Sequence, residues 1–286
     1  MSISFPKVTF VVMCYNQEQY IREALAGAFA QTYGPLEILI SDDCSRDRTF
    51  DIVQEMVAKY SGPHSVRCSR NEKNGGIAAH INKINSAATG EMIVVAAGDD
   101  ISLPSRTEKI VAEYMRGNRS ANYFYSSARE MTMDSVLQGV VTSPGADCVS
   151  SKLRTALSPY PIAIGATQAW TRKLIDSFSP FHPEVWAEDQ ILGFRGLLLG
   201  EVVFINEPLV CYRIGSGIST RKQNFSIKKY FKEKRSSIGI YRQRFSDSVH
   251  LGCYSIAAAL AVKIALLTAS IPVAPLISLS RKIIKR

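Results

Sequence analysis

Val8-Thr9-Phe10-Val11-Val12-Met13-Cys14-Tyr15-Asn16 opens the region whose reading decides the fold. Over residues 8–13 every side chain but Thr9 is apolar and bulky or β-branched, as a strand buried on both faces of a parallel sheet requires. Residues 20–29 then carry apolar side chains at helical spacing, and the alternation repeats as strand 36–40, helix 49–60, short strand 66–68, helix 77–88 and strand 92–97. Strands separated by such helical stretches predict βαβ units with right-handed crossovers. Beyond residue 100 the pattern loosens. It predicts a helix over 104–116 with Pro104 in its first position, a strand over 121–126, a helix over 188–199 and strands over 202–205 and 209–212. The expected architecture is α/β: a Rossmann-like, mostly parallel sheet flanked by helices over 1–219, with halves 1–100 and 101–219. A helical, basic and apolar extension occupies 220–286.

With 286 residues, 46% of them hydrophobic, the chain can bury a large core. Gly and Pro together make 30 residues, which excludes collagen-like and low-complexity classes. The net charge of +9 is unevenly placed. Residues 220–244 hold nine Lys or Arg against only Glu233, and the last six residues add four more, so the remainder of the chain is mildly acidic. No nucleic-acid-reading module accompanies this charge, so a nucleic-acid partner is not expected. The six cysteines lie far apart without a C-x-x-C pair, which fits neither a zinc ribbon nor a disulfide scaffold. Met1 to Lys7 lacks the basic and apolar regions of a secretory signal, so the expected location is cytoplasmic.

In open α/β sheets ligands bind at the carboxyl ends of the strands. There the sequence reads Cys14-Tyr15-Asn16-Gln17-Glu18, Ser41-Asp42-Asp43-Cys44-Ser45, Asn71-Glu72-Lys73-Asn74-Gly75-Gly76 and Gly98-Asp99-Asp100. Neither G-x-G-x-x-G nor a Walker A sequence follows the first strand, which excludes the usual dinucleotide and P-loop phosphate cradles. Two adjacent carboxylates after a buried strand repel each other and resist desolvation, and a hard divalent cation bridging to a phosphate relieves both costs. A solvated turn in which Asp100 caps the following helix also fits. A second carboxylate pair, Asp42-Asp43, at a second strand end is harder to explain as turn chemistry.

These segments, with Gln31-Thr32-Tyr33, Arg46-Asp47-Arg48-Thr49 and Ala88-Thr89-Gly90-Glu91, resemble family 2 glycosyltransferases of the GT-A fold in order and spacing over residues 6–212. The resemblance implies a nucleotide-sugar donor, with UDP the expected nucleotide, and Mg²⁺ or Mn²⁺ as cofactor. It implies that the base packs on Tyr15, beside Asn16, and hydrogen-bonds Asp43, while Asn74, His80 and Asn82 lie in a segment closing over base and ribose. Asp99 and Asp100 match the D-x-D-type motif, with Asp99 toward the ribose and Asp100, alongside Asp99, on the metal. Tyr15 also fits a core aromatic at a strand end, and Asp43 an Asx turn with Ser45.

Ala187-Glu188-Asp189-Gln190, opening an apolar helix, resembles the family's E-D motif, whose Asp is the general base. Glu188 would accompany Asp189 on the acceptor side, and Arg195 and Arg213 match basic positions near the diphosphate. Both acids also suit a helix first turn on dipole grounds alone. Many members carry a histidine after the Tyr-Arg that matches Tyr212-Arg213, where this chain reads Ile214-Gly215-Ser216-Gly217. That stretch fits a lid over the donor or a plain linker.

The expected activity is inverting transfer of a hexosyl or N-acetylhexosaminyl group to a glycan hydroxyl. A sugar nucleotidyltransferase shares the sheet and the metal-binding carboxylates but lacks a match for its Gly-rich, basic N-terminal signature; a non-catalytic scaffold is the other rival. By analogy the acceptor is linked to a polyprenyl diphosphate in bacterial O-antigen or capsule synthesis. Basic residues interleave with Tyr230, Phe231, Ile238, Ile240 and Tyr241, as in a helix lying on the anionic inner leaflet of a membrane. A helical subdomain packed on the catalytic core is the alternative. Residues 264–279 are uncharged but interrupted by Pro272 and Pro275, too short and broken for a span. On the membrane reading, truncation after Ser219 leaves a soluble protein.

Overall fold

The computed structural model describes residues 4–143, 145, 149–215 and 227–270, the last segment without side chains up to residue 235. The first half is built from β1 (Val8–Cys14), α1 (Ile21–Phe29), β2 (Glu37–Asp42), α2 (Thr49–Ala58), β3 (Ser65–Arg70), α3 (Gly76–Ala87) and β4 (Met92–Ala97). β3, β2, β1 and β4 lie in that order and all pair in parallel. The order reverses at β1, so the chain opens a crevice at the carboxyl ends of β1 and β4, where such sheets bind ligands.

The second half adds β5 (Ile101–Ser102), α4 (Arg106–Arg116), β6 (Tyr123–Met131), β7 (Leu137–Val141), α5 (Lys152–Leu157), a 3-10 turn (Gly165–Thr167), β8 (Ala169–Thr171), α6 (Arg172–Asp176), α7 (Asp189–Leu199) and β9 (Val202–Arg213). Here the sheet turns mixed: β8 pairs antiparallel with both β4 and β6, β9 runs parallel to β6, and β5 and β7 are antiparallel additions. Two sequence expectations change. The strands expected over 202–205 and 209–212 are one strand, β9, whose register against β6 shifts around Ser127. Pro104 precedes its helix rather than opening it, because Ser105 is the N-cap residue.

Two apolar layers cover the sheet. One joins Phe10, Leu25, Ile40, Val94 and Phe124; the other joins Val11, Ile81, Val95, Tyr123, Trp170 and Ile191. A third cluster unites the last helices, α8 (Ile227–His250) and α9 (Tyr254–Ala269), with α5 and α7 through Ala156, Phe194, Leu198, Tyr241, Ile256 and Leu260. Ile238, Ile240 and Tyr241 are therefore buried against protein, which corrects their expected place on a lipid-facing helix. Tyr230 and Phe231 lie outside the described side chains, and residues 271–286 with Pro272 and Pro275 outside the described residues.

Candidate active site

Register aligns Cys14 with Asp42 and Met13 with Ala97, so the loops after β1, β2 and β4 emerge side by side. Their closeness depends on Gly98. A Cβ there would stand 2.5 Å from Gln17 Oε1 and 2.9 Å from Cys14 Cβ. Tyr15 is 37% exposed at this edge, a rim residue rather than a core aromatic. Asn16 takes a left-handed φ of 52°, which Asn tolerates, and its Oδ1 accepts from Arg46 N at 2.7 Å. The Asx turn with Ser45 belongs to Asp42, whose Oδ2 accepts from Ser45 N at 2.9 Å. Asp43 instead accepts from Asn71 Nδ2 at 2.7 Å and from the amides of Gly75 and Gly76, both at 3.1 Å. Its carboxylate thereby draws the start of α3 over the strand ends. Asn74 is exposed just before α3, where its Oδ1 accepts from Gly76 N at 3.1 Å. His80 is buried below it with Nε2 2.8 Å from Ser41 Oγ, and burial, against the pull of Asp43 and Asp42, holds its imidazole below the usual value.

Asp99 and Asp100 close the crevice. The expected helix cap does not form, since α4 has no side-chain cap and Asp100 Oδ1 instead accepts from Arg213 N at 2.7 Å. Burial, and then the charge of Asp99, push the Asp100 carboxyl well above the usual carboxylate range. Beneath it lies Arg106, fully buried, donating to Ser102 Oγ at 2.8 Å and Val95 O at 2.7 Å. Its Nε has no hydrogen-bond partner among the described residues, and burial lowers its pKa to about 9 against the opposing pull of Asp100. Its positive charge opposes the effects of burial and of Asp99 on the Asp100 carboxyl.

The second acidic pair stands at the start of α7, with Glu188 as its N-cap residue and Asp189 its first. Both are partly exposed. Gln168 Nε2 donates to Glu188 Oε1 at 2.9 Å. Gly165 faces both acids: a Cβ on it would stand 3.2 Å from Glu188 Oε1 and 3.6 Å from Asp189 Oδ2. Burial, then the Glu188 charge, push Asp189 well above the usual range, while Arg244 from α8 pulls it down. Such a carboxylate binds a proton more strongly than an ordinary surface Asp, which suits a general base.

Three expected site residues serve the scaffold instead. Asn82 spends its amide on the backbone of Phe181, donating to its O at 2.9 Å and accepting from its N at 2.8 Å. Arg195 is buried and forms a two-point ion pair with Asp247 of α8, so it anchors α7 rather than facing a diphosphate. Both line a cavity of about 270 Å³ with Arg172, whose amide bonds Glu91 O just before β4, at the end of that strand opposite Asp99. Arg213 is likewise fully engaged: it reaches Asp99 O, Thr132 O, Met133 O, Ser135 Oγ and Glu23 Oε2, with Tyr20 stacked on the guanidinium at 4.4 Å. It fixes the backbone of the Asp99-Asp100 turn. Sequence reasoning missed Arg106, Gln168 and Gly165, which belong to no motif in the sequence; an Arg at the start of a helix just after two acids was the one available signal.

Residues 9–132 match the family described as Glycosyl transferase family 2. EpsE of Bacillus subtilis, named as a glycosyltransferase, is 37% identical over 109 residues, 38% of this chain and 38% of its own, so this chain spans well under two thirds of that relative. Among solved structures, residues 1–349 of TarS from S. aureus in complex with UDP-GlcNAc superpose with a TM-score of 0.61 at 20% identity, over 89% of this chain and 71% of theirs. The mannosyltransferase PcManGT of Pyrobaculum calidifontis, in complex with GDP-Man and Mn²⁺, gives 0.58 at 18% identity, over 99% of this chain and 81% of its own. Residues 9–132 are thus similar to glycosyl transferase family 2, and the fold of the chain is GT-A.

Proposed function

We propose that the chain is an inverting glycosyltransferase that moves a hexosyl or N-acetylhexosaminyl group from a nucleoside-diphosphate sugar, a UDP-sugar first, to a hydroxyl of a glycan acceptor. The carrying observation is that Gln168 ties the acidic pair at the start of α7, Glu188-Asp189, to β4, the strand that leads to Asp99-Asp100. The Gln168 carbonyl accepts from Val95 N on β4 while its amide holds Glu188. In this reading Tyr15, Asn16, Asp43, Asn74 and His80 shape the nucleoside pocket, residues 1–100 form the donor half and 101–219 the acceptor half.

Asp99 and Asp100 suit Mg²⁺ or Mn²⁺: two hard oxygen donors, one of them held above its usual pKa by burial and by its neighbour, gain from a cation between them. Among the described residues no group of three or more His, Cys, Asp or Glu side chains could hold a metal, so Asp99 and Asp100 would hold the ion together with oxygens from outside the protein, for which the donor's phosphates are suited. When bound, the cation offsets the charge that develops on the leaving diphosphate. The proton of the acceptor hydroxyl passes to Asp189; the freed oxygen pair forms the new bond to the anomeric carbon, and the old carbon–oxygen bond breaks with its electron pair going to the diphosphate. One base and no covalent nucleophile give inversion. An NMR spectrum of the product made from a donor of known anomeric configuration tests this, and retention refutes it.

The acceptor proposed is linked to a polyprenyl diphosphate at the cytoplasmic face of a membrane, in bacterial surface polysaccharide synthesis, with residues 220–286 holding the protein there. Support comes from α9, not from the buried face of α8. α9 turns Tyr254, Val262 and Leu266 outward at 71%, 61% and 65% exposure. Residues 248–286 contain no Asp or Glu and five Lys or Arg, the composition of an interfacial segment drawn to anionic lipid. No helix among the described residues is long and apolar enough to cross a membrane.

A further inference from the structure

Gln168 is fully buried between the two acidic pairs, at the end of the turn that carries Gly165. Its side-chain amide is held at both ends. Its Nε2 donates to Glu188 Oε1 at 2.9 Å, and its Oε1 accepts from the hydroxyl of Tyr123, itself fully buried, at 2.9 Å. The backbone carbonyl of Gln168 accepts from Val95 N at 3.2 Å and from Arg106 Nη2 at 3.3 Å, the arginine beneath Asp100. One residue thus grips the strand leading to Asp99-Asp100 through its main chain and Glu188 through its side chain.

We propose that Gln168 is a positioning residue for transfer, fixing the Glu188 carboxylate beside Asp189 and locking the acceptor-side pair in register with the donor-side pair. The inference rests on the reading of Asp189 as the base. Tyr123 fixes which way the amide faces: with its hydroxyl donating to Oε1, only Nε2 is left for Glu188, so the acid meets a donor rather than a competing acceptor. A glutamine free to turn would lose that order. Four titratable groups face Glu188 and Gln168: Asp189 on α7, Tyr123 on β6, Arg244 on α8 and Arg106 on α4. Burial pushes Glu188 up and the Gln168 hydrogen bond pulls it down; an ionised Glu188 in turn raises the proton affinity of Asp189. With both carboxylates ionised in the active form, removing the donor makes the pair take up its first proton at higher pH, so the acid limb of activity moves to higher pH.

The test is the pH profile and the split between kcat and acceptor KM in Gln168→Met paired with Tyr123→Phe, so that no buried hydroxyl is orphaned. This double variant is expected to keep the parent's circular dichroism and donor KM, to lose roughly 10- to 100-fold in kcat through misplacement of the pair, and to show its acid limb about 0.5–1 unit higher. A parent-like kcat and acid limb in the folded double variant overturns the proposal. Should the double variant fail to fold, Tyr123→Phe alone decides: a smaller kcat loss with the limb shifted upward supports the role, and an unmoved limb overturns it. Asp189→Asn, run in parallel, separates the two ideas. If it transfers sugar like the parent, the reading of Asp189 fails; if it is inactive while the Gln168 variants match the parent, only the role of Gln168 fails.

Discussion

Replacing Asp247 with Ala should destabilise the whole catalytic fold, although Asp247 lies on α8, beyond the matched family domain. Its carboxylate meets Arg195 Nε at 2.8 Å and Nη2 at 3.0 Å, and both side chains are only 2% exposed. The guanidinium is enclosed by Phe178 and Phe181, with ring centroids at 4.8 and 4.6 Å, and it also donates from Nη2 to Ser179 O at 2.8 Å. Without the carboxylate an uncompensated cation stays buried, which costs about 3–5 kcal/mol. The Gln243 amide, 3.0 Å from Asp247 Oδ1, loses an acceptor as well, adding about 1 kcal/mol. That is a large share of a typical domain stability of about 5–15 kcal/mol. Urea unfolding followed by circular dichroism should show a lower midpoint at unchanged slope. Arg195→Met combined with Asp247→Leu should restore most of the loss, because the pair is removed together with its desolvation cost. A loss below about 1 kcal/mol in the single variant would refute the reasoning, since that is the worth of an exposed pair. By the same packing, truncation after Ser219 uncovers Phe194, Leu198 and Arg195 and should yield an unstable protein, contrary to the expectation from sequence.

Asp189→Asn should lower kcat by roughly 10²- to 10⁴-fold with donor affinity nearly unchanged; in the parent the acid limb should lie above the ordinary carboxylate range, because the base must be ionised and its pKa is raised. Equal losses in donor binding and turnover would contradict this. Asp100→Asn, measured in EDTA near neutral pH, should melt higher than the parent. The fold favours the protonated Asp100 carboxyl, so its stabilising contribution is present below the ordinary carboxylate range and is lost as pH rises through the raised value. A lower melting temperature would show the ionised form to be favoured instead. Paired Val262→Asp and Leu266→Asp should abolish co-sedimentation with anionic vesicles at low salt while leaving donor binding intact; unchanged sedimentation would remove α9 from the membrane contact.

The parallel half of the sheet was legible because β1, β2 and β4 are built on apolar runs and each following loop is polar, whereas β3, at the edge, shows only as the short stretch 66–68. That contrast sets Tyr15, Asp43, Asp99 and Asp100 at one edge of the sheet. The mixed half was not. β8 is three residues long, and β9 reads as two strands because Glu207-Pro208 breaks its apolar pattern. Motif matching named charged residues but not their partners. Arg195 meets Asp247 from 52 positions away and Asn82 meets Phe181 from 99, separations at which local spacing carries no signal. α8 misled for the opposite reason: its basic residues are plain in the sequence, whereas Ile238, Ile240 and Tyr241 are buried, Ile240 and Tyr241 in clusters shared with α7.

The central claim, that the β4 carboxylates serve a metal-dependent nucleotide-sugar site, is tested most directly by calorimetric titration of UDP- and GDP-sugars into the protein with Mn²⁺, with EDTA, and with Mn²⁺ in Asp100→Ala. The account predicts saturable binding of at least one donor with Mn²⁺, lost in EDTA and in the folded variant. Binding of equal affinity under all three conditions would contradict it.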